Sequence, residues 1–215
     1  MRLKDYDERE GKRVWLSERE MQLLLENVDE GNETAEAALL LAGRCGLRRA
    51  EIVDVTPADV VRTDHGDVVR VWEGKGDKYR EVPAPDGLVT LLRHAALEPD
   101  EAIVDVADST IYKYVKRARA RCRTETGDEG WQYLGPHDLR RSWGVLVLEA
   151  GVLPSVVMEW GGWTDWTTFR DHYLAEFSPQ ALRRERDRVE WYGGASSSND
   201  LDRDHRDSYA VLDPR

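Results

Sequence analysis

Apolar residues recur along this chain with two periods, and the change from one to the other divides it. From residue 17 the helical period leads. Ser17 and Glu20 form a capping box, and Met21, Leu23, Leu24 and Leu25 follow, which predicts a helix starting at Ser17. A second helix is predicted over 33–45, with Asn32 as cap and Gly46 as stop. A short third covers 48–53 and is closed by Thr56-Pro57. The period then becomes two. Residues 60–63, 68–72 and 79–82 read as strands, with turns at 64–67 and 74–77. Helices resume near 86–97, 109–122, 137–150, 154–160, 165–174 and 178–190. Pro136, Pro154 and Pro179 each suit a first helical turn, and Gly151 suits a C-terminal stop. Residues 1–16 read as a polar, irregular segment, and 193–215 as a mobile acidic tail of linker-like composition. No internal repeat is visible. The expected fold is mainly α with a small three-stranded antiparallel sheet (an α+β class), in one domain over 17–192.

A chain of 215 residues with 40% apolar content can bury one sizeable core. No apolar run approaches the roughly 20 residues of a membrane helix. The start, MRLKDYDEREGKR, has no apolar stretch and is not a secretory signal. A soluble cytoplasmic protein is expected. Cys45 and Cys122 lie in no CxxC and near no cluster of histidines, so they read as two reduced thiols and no metal site is expected.

The net charge of −11 speaks at first against nucleic acid. Two details change that reading. Only six of the 31 basic residues are lysine, and an acidic, aspartate-rich, lysine-poor surface suits a protein that must stay hydrated in high salt, which points to a halophilic source. The charge is also uneven. Lys113, Lys116, Arg117, Arg119, Arg121 and Arg123 follow one another with no acid between them. Net charge bears on solubility, whereas such a patch bears on partners. The predicted helix over 109–122 is therefore the candidate DNA-facing element, with Tyr112, Tyr114 and Val115 on its buried side.

Four segments carry candidate chemistry: GLRRAEI (46–52), GKGDKYREVP (74–83), HDLRRSW (137–143) and GGWTDWTTFRDHY (161–173). Each alone has a bland reading: a solvated cation, a hairpin turn, a surface pair, a core tyrosine. Together they ask for one explanation. Arg48 and Arg140 are permanently charged forks suited to gripping one phosphate from two directions. His137 lies one helical turn from Arg140, so both can face the same group. Lys75 sits at a tight glycine turn, and Tyr173 supplies a phenol. Two arginines, a lysine, a histidine and a tyrosine suffice for phosphodiester transesterification, with no metal, cofactor or ATP required.

The order of these residues resembles the tyrosine site-specific recombinases of the phage-integrase family. Arg48 after Gly46-Leu47, with Glu51 three positions on, is similar to the first arginine box. Lys75 resembles the catalytic lysine, and His137 with Arg140 in HDLRR resembles the second box. Gly162-Trp163 is similar to the family's glycine followed by histidine or, in some members, tryptophan. Tyr173 resembles the nucleophile. The match spans about 17–192, and with the acidic composition it suggests a haloarchaeal or haloarchaeal-virus member.

The chain also departs from the pattern. Trp163 can donate from its indole N–H but cannot exchange a proton at neutral pH. The interval from Trp163 to Tyr173 is one residue longer than the resemblance implies. His172 stands at the expected place, with Tyr192 and Tyr209 as distant alternatives. Members carry a helical core-binding domain ahead of the catalytic one, and the two close on DNA as a clamp. Only about 16 residues precede the first helix here, so a catalytic domain alone is expected, with an accessory DNA-binding protein as a possible source of the clamp.

The resemblance implies a recombinase acting on double-stranded DNA through a 3′-phosphotyrosine, working as a dimer to tetramer on DNA. Arg48, Arg140 and Trp163 would stabilise the phosphate, Tyr173 attack, His137 serve as base and Lys75 as acid. Glu51 would support Arg48, and Arg141 would contact DNA beside the basic helix. Arg49 is its counterpart in the other Arg-Arg pair. The final helix, ending in Val189, Trp191 and Tyr192, would anchor in its own domain or a neighbouring subunit. Two other functions use the same fold: a non-catalytic DNA-binding regulator, which has no need of Lys75 and Tyr173, and a type IB topoisomerase-like nicking enzyme.

Overall fold

A computed structural model of the chain describes residues 1–6, 10–74, 78–94, 98–170, 173 and 179–192. Two compact units emerge, Met1–Glu176 and Phe177–Arg215. The first unit holds α1 (Glu18–Glu26), α2 (Glu33–Gly43), α3 (Arg49–Ile52), α4 (Asp86–His94), α5 (Asp108–Thr126), α6 (Pro136–Glu149), α7 (Pro154–Gly161) and α8 (Trp166–Phe169). Its strands are β1 (Arg2–Asp5), β2 (Lys12–Trp15), β3 (Val60–Thr63), β4 (Gly66–Gly74) and β5 (Lys78–Pro83). The mainly helical class with a small antiparallel sheet is as the sequence implies.

α2 is the hub of the core. Its sequence ETAEAALLLAG is apolar on nearly every side, and Ala37, Ala38, Leu39 and Leu41 are wholly buried. A helix apolar all round must be surrounded, and α1, α4, α5 and α6 pack against it. Local chemistry sets its start, since Asn32 accepts from the Ala35 N–H. Ser17 and Glu20 cap α1 reciprocally. β3, β4 and β5 form the predicted meander, with Val60 opposite Val69 and Val69 opposite Val82. Val69, Val71 and Val82 point into the core.

Residues 1–16 differ from expectation. They form an antiparallel hairpin of β1 and β2, with Leu3 opposite Val14. β1 is exposed along its length, so no apolar alternation announces it. β2 is held from outside: the Asp138 carboxylate accepts from the Val14 N–H (3.2 Å), and the Ser142 hydroxyl accepts from the Leu16 N–H (2.9 Å). Val14 and Leu16 are buried. The strand thus forms because α6 satisfies its backbone, a partner more than a hundred residues away.

Gly46 does more than end α2, which stops three residues earlier. Its φ is +65°, and a Cβ there would stand 2.1 Å from Cε3 of Trp143. Only glycine lets this turn lie on the indole face. α5 runs longer than predicted, to Gly127 in the left-handed conformation. Its buried seam is Ile111, Val115, Ala118 and Cys122. Tyr112, expected inside, is instead exposed beside the Arg119 guanidinium, 5.8 Å from the ring centroid.

The second unit contains α9 (Pro179–Asp187) and a 3-10 turn, Glu190–Tyr192. Leu182, Trp191 and Tyr192 are exposed. The predicted tail, 193–215, lies outside the described residues. Among the described residues no helix is long and apolar enough to cross a membrane.

Candidate active site

The loop between α2 and α3 delivers Arg48. The Glu51 carboxylate accepts from the Arg48 backbone N–H at 2.7 Å and from its guanidinium at 2.6 Å. Backbone and side chain of Arg48 are thereby fixed by one group, while the guanidinium keeps a partly open face. Glu51 itself is buried. Burial works against its charge, but the Arg80 and Arg48 guanidiniums outweigh it and hold the carboxyl at about 2.

Arg80, on β5, is a residue that sequence reasoning missed. It is 6% exposed and grips both oxygens of Glu51, at 3.0 and 2.7 Å. Its Nε donates to the Trp160 carbonyl at the end of α7 (2.9 Å). A signal was present. In KYREVP the outward positions are Tyr79 and Glu81, so period-two alternation puts Arg80 on the same inward face as Val82.

Arg140 reaches inward from α6 and is 2% exposed. Its two terminal nitrogens donate to the carbonyls of Gly46 and Gly161. Those carbonyls sit just ahead of Leu47-Arg48 and Gly162-Trp163, so one guanidinium ties two separate motifs together. The indole of Trp163 lies over it, 4.4 Å from centroid to guanidinium carbon. Burial, with Arg48 and Arg80 nearby, lowers its pKa to about 10, against the opposing pull of Tyr173 and Glu51. It stays cationic at neutral pH. Arg48 and Arg80 share the Glu51 carboxylate while Arg140, close by, is held by carbonyls, and the surplus positive charge makes the cluster a site for an anion.

Tyr173 closes the arrangement. Its ring lies 4.7 Å from Trp163 and 5.1 Å from Phe169, centroid to centroid. It rests on α6 at Gly144, where a Cβ would stand 2.9 Å from ring atom Cε1. Burial raises its phenol above the ordinary tyrosine value. Arg140, Arg141, Arg48 and a hydrogen bond from Trp163 pull the other way. Asp165 caps α8.

Arg48, Arg140, Trp163 and Tyr173 are thus gathered from α3, α6 and the segments flanking α8. His137 is exposed in the first turn of α6, three residues ahead of Arg140. Lys75 and His172 lie outside the described residues, as does Tyr209. Tyr192 belongs to the second unit.

The basic helix is more committed than its sequence suggests. Arg117 pairs with Asp29 at 3.3 Å, and Arg121 pairs with the same carboxylate. Arg123 pairs with Glu129 at 2.5 Å, and Arg119 donates to the Leu134 carbonyl. Lys113 and Lys116 are exposed, and no ion pair to either is found among the described residues. Lys116, Arg119 and Arg123 line a groove of about 520 Å³ with Glu129 and Gln132. Arg141, expected at the DNA face, is corrected. It is 7% exposed, paired with Asp138 and set 5.5 Å from the Trp15 ring centroid, which makes it a strut between hairpin and α6. Arg49 pairs with Asp108 at 2.9 Å.

An arginine-rich anion site thus stands beside an aromatic-packed tyrosine, on a helical domain with a small meander. The model of the phage integrase family matches residues 14–178, and the chain belongs to that family. A tyrosine recombinase of Thermosipho africanus is 29% identical over 162 residues, covering 72% of this chain and 54% of that protein. The crystal structure of XerA recombinase superposes with a TM-score of 0.63 at 22% identity, covering 81% of this chain and 64% of that one. The Tn1549 transposon integrase, solved with transposon right end DNA, gives 0.59 at 17%, covering 86% and 69%. The chain therefore spans about half the length of the curated relative.

Proposed function

We propose that this chain is the catalytic part of a site-specific DNA recombinase, which cuts and rejoins strands through a 3′-phosphotyrosine at Tyr173. The observation that carries the reading is the convergence of Arg48 and Arg140 on the neighbourhood of the Tyr173 ring. Fixed donors aimed at developing charge are the largest single source of rate in such reactions. Arg48 offers its open face, and Arg140 has N–H groups beyond the two it gives to carbonyls. Trp163 supplies an indole N–H.

In the cleavage step the Tyr173 oxygen bonds to phosphorus, and the bond from phosphorus to the 5′-oxygen breaks. His137 takes the phenolic proton, which the raised pKa of Tyr173 makes necessary at neutral pH. Lys75 protonates the leaving oxygen. A 5′-hydroxyl from a second strand reverses the step, so the phosphodiester energy is retained. Duplex DNA is the substrate class, supported by the surplus positive charge of the site and by the open lysines of α5. Assembly of several copies on DNA is supported by the exposed Leu182, Trp191 and Tyr192 of the second unit.

The test is covalent trapping. A nicked suicide duplex, carrying a site selected from a random DNA pool, is incubated with the protein. Wild type should form an adduct and Tyr173→Phe should not. An adduct that persists in the variant moves the nucleophile elsewhere, and none with wild type favours a non-catalytic binder.

A further inference from the structure

We infer that Arg80 is a positioning residue for this proposed reaction: it holds the Glu51 carboxylate so that Arg48 is aimed at the phosphate rather than drawn into the core. The inference rests on the recombinase reading above and adds a residue to it. The three charged groups form a ladder from the interior outward. The side chains of Arg80 and Glu51 are 5% and 4% exposed, and that of Arg48 is 28% exposed. A buried carboxylate requires compensation. Arg80 supplies it with two hydrogen bonds, one to each oxygen. Glu51 is left to make one side-chain bond to Arg48, through Nη1, and the remaining N–H groups of that guanidinium stay available.

Take Arg80 away, and the only guanidinium left on Glu51 among the described residues is that of Arg48. A carboxylate and a guanidinium prefer a two-bond, fork-to-fork pairing. Arg48 would turn inward to make it, and its open face would be lost. Arg80 also reaches the opposite wall of the site. Its Nε bond to the Trp160 carbonyl pins the turn that leads into Gly161, Gly162 and Trp163, and Gly162 lies directly against its side chain. One buried residue thus sets the distance between the arm that carries Arg48 and the arm that carries Trp163.

The experiment compares Arg80→Met, Arg80→Met with Glu51→Gln, and Arg48→Ala. Each is measured in single-turnover cleavage of two suicide duplexes: one with the normal scissile phosphodiester, the other with an uncharged methylphosphonate. Arg80→Met should cleave the phosphodiester on the order of tenfold to a hundredfold more slowly while binding DNA as wild type does. Its deficit should shrink on the methylphosphonate, as that of Arg48→Ala should, because less negative charge then needs to be met. Neutralising Glu51 as well frees Arg48 and should recover part of the rate.

A purely structural role predicts an equal loss on both duplexes and no recovery in the double variant. That result, or cleavage by Arg80→Met within twofold of wild type, overturns the inference. Should Arg80→Met fail to fold, the double variant alone decides: its deficit must be smaller on the methylphosphonate. Absence of an adduct with wild type overturns the recombinase reading itself, and this inference with it.

Discussion

Gly144→Ala should separate stability from chemistry at this site. Gly144 lies within α6, where alanine is intrinsically better than glycine by roughly 0.5–1 kcal/mol. The added Cβ, however, would stand 2.9 and 3.0 Å from Cε1 and Cδ1 of Tyr173 and 3.3 Å from Cη2 of Trp163. Carbon atoms pack best at about 3.5–4.0 Å, so the phenol ring must retreat by roughly 0.5–1 Å. Overpacking of this kind costs about 1–3 kcal/mol. The two effects partly offset, and net stability should fall by no more than about 2.5 kcal/mol. If Tyr173 is the nucleophile proposed above, a displacement of about 1 Å costs on the order of a hundredfold in rate, or about 2.7 kcal/mol of barrier. The assay is single-turnover trapping on suicide DNA, paired with thermal melting. Gly87→Ala in α4 is the control, since its Cβ would meet only Leu40, at 3.9 Å and beyond. It should cleave like wild type. Trapping by Gly144→Ala at the wild-type rate would refute the reasoning, because Tyr173 could then not react from its seat on α6.

Three further outcomes can be measured. Glu51 is held at about 2 against an ordinary 4.5, so its contribution is fully present above pH 4.5 and drains as pH falls towards 2. That is up to about 3 kcal/mol, so acid unfolding followed by circular dichroism should be steep in this window and flatter in Glu51→Gln. Asp138, raised above its usual range mainly by burial, acts in the opposite sense and offsets part of the loss. Lys113→Ala and Lys116→Ala should each weaken binding to any DNA sequence and reduce the slope of log affinity against log salt by about 1; an unchanged slope would remove α5 from the interface. If the acidic, lysine-poor surface reflects life in high salt, the melting temperature should rise in molar potassium chloride, and unfolding there would contradict a halophilic origin.

Much of the candidate site was legible because its residue types are written in local motifs. Arg48 with Glu51, His137 with Arg140, and Gly162 with Trp163 are near neighbours in sequence, and their residue types alone suggest a phosphate. The helix starts at Ser17, Asn32 and Pro136 were legible for the same reason, since caps and first-turn prolines act within four residues. The role of Arg80 lay open to alternation, but its partners, Glu51 and the Trp160 carbonyl, come from two other parts of the chain. Arg141 looked like a spare surface cation because nothing near it in sequence reveals Trp15 and the hairpin above it.

The sequence by itself therefore determined the periods, the caps and the set of candidate groups, because each depends on residues within a turn or a strand of one another. Tertiary structure decided which charges are spent and which are left open. Asp29 and Glu129 occupy three arginines of α5, Asp138 occupies Arg141, and Glu51 divides itself between Arg80 and Arg48. An ion pair forms wherever two groups end within about 4 Å. That distance is set by how α2, α6 and the sheet pack, and no window of sequence contains it.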